Sequence, residues 1–206
     1  MRYYNQIAGQ KISRIEALSD GVFAIALTLL ALEIKAPPVE NIKTEMDLIR
    51  SLSPLIPKFL CYFLSFMMMG ILWTGQSAQL NFIEKYDRNL NWNTFFFLLT
   101  ISLLPFTTAF LGEHITFRFS VWLYWLNILL SGIMLYSHWT HAVRKKYSNL
   151  EGEELHSVDM AIRKRILVAQ GLYFVGALQG FINPYLSIVF ITAVQLNYPL
   201  ARFIKT

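Results

Sequence analysis

The chain has 206 residues, 55% of them hydrophobic and only 15% charged. A soluble domain carries about 25% charge, so the composition excludes an ordinary soluble protein. It points to an all-α, polytopic membrane protein, and the net charge of +5 then reads as membrane topology rather than nucleic-acid binding.

The head, MRYYNQIAGQKIS, is short, polar and basic. Ser13 is placed to cap the first helix, with Glu16 as its capping-box partner. The first span covers about 14–34. It opens on Arg14, Glu16 and Asp20 and continues as an apolar run broken only by Thr28. That run is too long for a signal-peptide core of roughly 7–15 residues, so the span is expected to be retained. Pro37 and Pro38 stop it. In the following loop Ile42, Met46, Leu48, Ile49 and Leu52 have weak amphipathic spacing, as in a surface helix.

The second span starts at Pro54 or Pro57 and runs to about 76, with Cys61 packed inside it. The third covers about 93–111 and contains Pro105, which should kink it. Thr100, Ser102, Thr107 and Thr108 are at hand for the freed carbonyl. The fourth span is about 119–139, and the polar segment from Thr140 to Arg165 follows it. Spans five and six, about 166–182 and 185–204, form a tight hairpin around Asn183 and Pro184. Residues 1–206 are thus read as one six-span transmembrane domain.

Six spans put both termini on one side. Arg2, Lys11, the Arg144–Lys146 and Arg163–Arg165 clusters, Arg202 and Lys205 fall with the termini. Lys35, Lys43, Lys58, Arg50 and Arg118 fall opposite. The positive-inside rule makes the termini cytoplasmic. The basic clusters also suit anionic lipid.

Charge in a membrane helix is costly, so Arg14 and Asp20 stand out. The bland reading is a snorkelling Arg and a helix N-terminal acid; the functional one is a polar clamp on the first span. Ile25, Leu29 and Leu32 share one helical face, with Thr28 beside them. By spacing alone that face reads as a lipid-facing or packing stripe. Glu33 lies near the outer mouth, beside Lys35. His138 and His141 read as surface histidines at an interfacial helix end. No catalytic motif is present, so an enzyme is not expected, and no T-V-G-Y-G filter appears.

R-I-E-A-L-S-D followed by GVFAIALTLLALEI resembles the start of the transmembrane protein 175 potassium channel family. That family carries R-x-x-x-F-S-D there; here Arg14, Ser19 and Asp20 are in register, and Leu18 replaces the Phe. Trp73, the YDRNLNWN stretch with Asn93, and LLPFTT with Pro105 extend the likeness. The family often has His shortly after that Trp; this chain reads TGQS, with Gln76 as the substitute. The resemblance implies a six-span subunit of a homotetramer in a bacterial inner membrane, with the first helix lining a central pore. It implies that Ile25, Leu29 and Leu32 form an apolar constriction, with Thr28 and Glu33 as further pore-lining candidates. Arg14, Ser19, Asp20, Trp73, Gln76 and Asn93 become the polar network that holds the helices. The expected function is a potassium-permeable cation channel needing no cofactor beyond the permeant ion. The alternatives are a secondary transporter of a small solute and a non-transporting scaffold.

Overall fold

A computed structural model describes residues 12–38 and 42–200, with side chains through Tyr198. The described residues form α1 (Ile12–Leu32), α2 (Glu45–Ser51), a 3-10 turn (Ser53–Leu55), α3 (Ile56–Leu80), α4 (Arg88–Glu113), α5 (Arg118–Arg144), α6 (Gly152–Gln179) and α7 (Pro184–Leu200). No strand is present among them; a lone β-bridge joins Ile83 and Ser148. The basic residues Arg2, Lys11, Arg202 and Lys205 lie outside the described residues, as does the end of the sixth expected span.

Among the described residues, four segments are long and apolar enough to cross a membrane: α1, the stretch Glu45–Leu80 containing α3, α4 and α5. α6 carries Arg163, Lys164 and Arg165 in its first half, and α7 has 17 residues. Neither meets that standard. α6 also begins well before the expected fifth span, because the polar segment after α5 is mostly helix rather than loop. Ser13 sits inside α1, so it does not cap it.

α4 is the central element. It packs on α5, α3 and α1, while α6 and α7 form a hairpin against α5 and α3. One stripe of α1 faces this bundle: Ile15, Ser19, Phe23, Ala26 and Leu30, spaced by three or four residues. Phe23 meets Phe97 of α4 with ring centroids 6.0 Å apart. Cys61, Leu64, Met68 and Met69 of α3 are buried in the same core. The α6–α7 hairpin closes tightly at Gly176, where an added Cβ would lie 2.6 Å from Ile191. Small residues at such crossings suit membrane bundles, which gain their stability from close packing rather than from water exclusion.

Hydroxyls run through this core. Thr108 donates to Ser65, which donates to Tyr124, tying α4 to α3 and α5. Ser131 donates to Thr100. The threonines near Pro105 bond other carbonyls instead of the one the proline frees: Thr100 reaches Phe97, and Thr107 and Thr108 reach Leu104. Beside the break, α5 supplies an amide. The Asn127 amide orientation that satisfies both of its ends puts its nitrogen 3.0 Å from the Thr100 carbonyl and its oxygen 3.2 Å from the Leu104 N–H. A side chain thus bridges the turn that the proline disrupts.

α2 is capped by Thr44 and Asp47 in a reciprocal capping box. Its Met46, Leu48 and Ile49 are exposed, as expected of a surface helix. At the opposite end of the bundle the α3–α4 and α5–α6 links hold each other. Glu84 N–H donates to the Tyr147 carbonyl at 2.8 Å and Asn149 N–H to that of Phe82 at 3.0 Å.

Asp87 caps α4 there. It accepts from Leu90 N–H at 2.8 Å, lies 3.1 Å from His141 Nε2, and accepts from Tyr147 at 3.3 Å. Burial alone would raise its carboxyl, but the Leu90 N–H and His141 outweigh that and hold it below the usual range. A depressed carboxyl stabilises the fold fully above the unfolded value, about 3.9, and that stability is lost as pH falls through the folded value. Asp87→Ala should therefore cost about 1 kcal/mol near neutral pH and flatten the acid side of the curve of melting temperature against pH. An acid limb unchanged by Asp87→Ala would assign it to other groups.

Candidate functional site

α1 carries two unlike sides. Phe23, Ala26 and Leu30 are 2%, 2% and 1% exposed, whereas Ile25, Leu29 and Leu32 are 62%, 42% and 70% exposed. The second set points away from the subunit's own core. Leu18 shares that exposed side. Thr28 is exposed there too, and its hydroxyl bonds back to the Ile25 carbonyl at 2.8 Å. Such a bond satisfies the hydroxyl hydrogen and leaves oxygen lone pairs outward. Glu33 follows the helix in an exposed turn, lining a small recess with Lys58 and Glu113, which pair at 3.2 Å.

The start of α1 is fastened to α3 by two side-chain bonds. Gln76 Nε2 donates to Ser19 Oγ at 3.1 Å, and Trp73 Nε1 donates to Asp20 Oδ1 at 2.8 Å. Ser19 and Gln76 are buried; Asp20 and Trp73 are more open. Adjacent residues on α1 thus meet residues three apart on α3, which fixes both the height and the rotation of α1. The bond to the carboxylate is charge-assisted and so the stronger of the two. A recess of about 140 Å³ lies at this contact, lined in part by Glu16, Ser19, Asp20 and Gln76.

The structure does not bring all the expected network residues together. Asn93 donates to Ser137 of α5 at 2.8 Å, a separate α4–α5 contact. Arg14 is exposed, with no hydrogen-bond or ion-pair partner among the described residues.

Three polar centres escaped the sequence reading. His138 is buried, 3% exposed, and not a surface residue. Its Nε2 lies 2.6 Å from the Tyr86 hydroxyl and its Nδ1 2.9 Å from Gln79 Oε1. Since an amide oxygen only accepts, Nδ1 carries the proton and Nε2 accepts from Tyr86. Arg163 is the second centre. It donates to Asp159 at 2.6 Å, Tyr136 at 3.0 Å and Thr140 at 2.8 Å, while Trp139 donates to the same Asp159 oxygen. One member of the basic cluster therefore clasps α5 to α6. Asn127 is the third, and an amide in an otherwise apolar run opposite a helix proline is the signal that marks it. No group of metal-ligating side chains occurs among the described residues.

The chain is 33% identical over 178 residues to a potassium channel of Chamaesiphon minutus, covering 85% of this chain and 87% of that protein. The chain belongs to the TMEM175 channel family. The model for the endosomal/lysosomal potassium channel TMEM175 matches residues 14–105. A potassium channel of a Chryseobacterium species is 28% identical, covering 89% of this chain and 90% of that protein. The human endosomal/lysosomal proton channel TMEM175 is 31% identical over 147 residues, covering 67% of this chain and 29% of that protein. The crystal structure of a lysosomal potassium-selective channel TMEM175 homolog from Chamaesiphon minutus superposes with a TM-score of 0.79 at 31% identity, covering 92% of this chain and 97% of that one.

TMEM175 proteins are ion channels, so this chain is a multi-pass membrane cation channel and not an enzyme. The TMEM175 match runs from Arg14 to Pro105. It takes in the α1–α3 fastening and the proline break in α4. His138 and Arg163 themselves lie beyond it, although the His138 partners Gln79 and Tyr86 fall inside.

Proposed function

We propose that this TMEM175 member is a potassium-permeable channel whose constriction is built from Ile25, Leu29 and Leu32. The observation that carries this reading is the division of α1 into a buried side and an exposed apolar side. Copies of the subunit, four in a homotetramer, set their exposed α1 sides around a common axis. The name of the Chamaesiphon relative as a potassium channel supports the choice of ion.

An apolar ring passes ions according to the cost of removing their water, and it closes by dewetting. Potassium loses water more readily than sodium, so a tight ring favours potassium. Thr28 oxygens give the wall a weak polar belt, and Glu33 concentrates cations at the outer mouth. Ser19, Asp20, Trp73 and Gln76 hold α1 at a fixed rotation; Arg14 acts between subunits, and Asn93 braces α4 against α5. Residues 1–206 form one six-span unit with both termini cytoplasmic, in a bacterial cell membrane. Permeation of this kind calls for no catalytic cofactor.

The animal relatives carry the name proton channel, which motivates a second arm in the test. Liposomes holding the purified protein and loaded with potassium should leak potassium faster than sodium. A pH-sensitive dye in the same vesicles reports proton flux. No cation leak from a well-folded tetramer would overturn the channel reading, and dissipation of a pH gradient without potassium efflux would replace potassium by protons.

A further inference from the structure

A partly open cavity of about 70 Å³ lies between α3, α5, α6 and α7. Leu72, Gly75, Leu135, Ile166 and Ala169 supply apolar wall. A cavity of roughly 150 Å³ admits a benzene ring, so this space takes a stretch of an acyl chain rather than a whole lipid. The remainder of the chain lies outside the mouth, in the bilayer.

Two polar atoms in the lining lack partners among the described residues. Gln170 lies flat on Gly132, where an added Cβ would fall 1.9 Å from its Nε2. That nitrogen donates to the Ile128 carbonyl at 3.2 Å, yet Oε1 is buried and unpaired. Tyr173 is 2% exposed and its hydroxyl is likewise unpaired. Leaving such groups unpaired in an apolar setting is costly, which marks the site as one that an occupant would complete.

The rim is cationic. Arg165 lines the cavity and lies over the Tyr198 ring at 5.3 Å. Its neighbour Lys164 is exposed, while the nearby acid, Asp159, is already held by Arg163 and Trp139. Along α6, Gln170 and Tyr173 lie about 7.5 and 12 Å deeper than Arg165. The site therefore combines a cationic rim with deeper orphaned hydrogen-bonding groups and apolar wall alongside both.

We propose that this cavity binds an anionic glycerophospholipid, with its phosphate on Arg165, an ester carbonyl on the Tyr173 hydroxyl and one acyl chain inside. Basic pockets between membrane helices near the cytoplasmic face take such head groups. The apolar wall excludes a free inorganic anion, and the excess of cations excludes a zwitterionic head group as the preferred occupant.

Native mass spectrometry of the purified protein in detergent tests this, with phosphatidylglycerol, phosphatidylcholine and oleate as probes. Phosphatidylglycerol should be retained at least tenfold better than phosphatidylcholine. Arg165→Gln should abolish that preference, and Arg165→Lys should keep most of it. Ala78→Phe, at a half-buried lining position, should block retention while the melting temperature without lipid stays close to that of the parent. Equal retention of both phospholipids, or parental retention by Arg165→Gln and Ala78→Phe, would overturn the site. Retention of oleate but not of phosphatidylglycerol would overturn the phospholipid assignment. Copies binding each other through this surface, with lipid excluded, would do the same.

Discussion

Ile25→Asn is expected to lower the preference for potassium over sodium by about tenfold, a loss of about 1.4 kcal/mol in discrimination. The apolar ring proposed above works by refusing to replace the water that an ion sheds. An amide at that position offers both an acceptor and donors, so a partly hydrated sodium ion no longer bears the full cost. Folding should be unaffected, because the Ile25 side chain is mostly exposed within the subunit. Reversal potentials under bi-ionic conditions, together with a melting curve, separate the two effects. An unchanged ion preference in Ile25→Asn would move discrimination away from this ring.

Asn127→Leu is expected to destabilise the fold by about 2 to 4 kcal/mol, because a Thr100 carbonyl and a Leu104 N–H lose their shared partner inside the membrane. Pro105→Ala added to it should recover most of the loss. An alanine supplies the N–H that the Ile101 carbonyl lacks and removes the ring's crowding, so that the turn relaxes and Leu104 N–H can reach the Thr100 carbonyl without help from α5. The double-mutant cycle therefore predicts strong coupling between residues 105 and 127. Melting in detergent measures it. Simple additivity, or an Asn127→Leu variant as stable as the parent, would show that the amide does not carry the break.

Much of the bundle was legible from the chain alone. The first four spans followed from apolar runs and the prolines that begin or end them, and α3 does start at Ile56 beside Pro57. The α6 boundary did not follow, since the charges from Glu153 to Arg165 imitate a loop. They are nonetheless good helix formers, and Arg163 is held by a tertiary clasp. His138 was misread for a related reason. Its burial depends on Gln79 and Tyr86, which lie 59 and 52 positions away in the chain, and no local pattern reports such partners. Family motifs marked Ser19, Asp20, Trp73 and Gln76 but could not separate them from Asn93, which contacts Ser137 instead.

The two sides of α1 have a consequence for how such a protein changes over time. Phe23, Ala26 and Leu30 answer to the folding of their own subunit, while Ile25, Leu29 and Leu32 make almost none of its core. Substitutions on the second side are therefore filtered by what meets them across the membrane rather than by whether the chain folds. One short helix keeps its scaffold constant and leaves a row of positions open to natural variation; under the proposed pore, ion preference can then drift among relatives without a loss of stability.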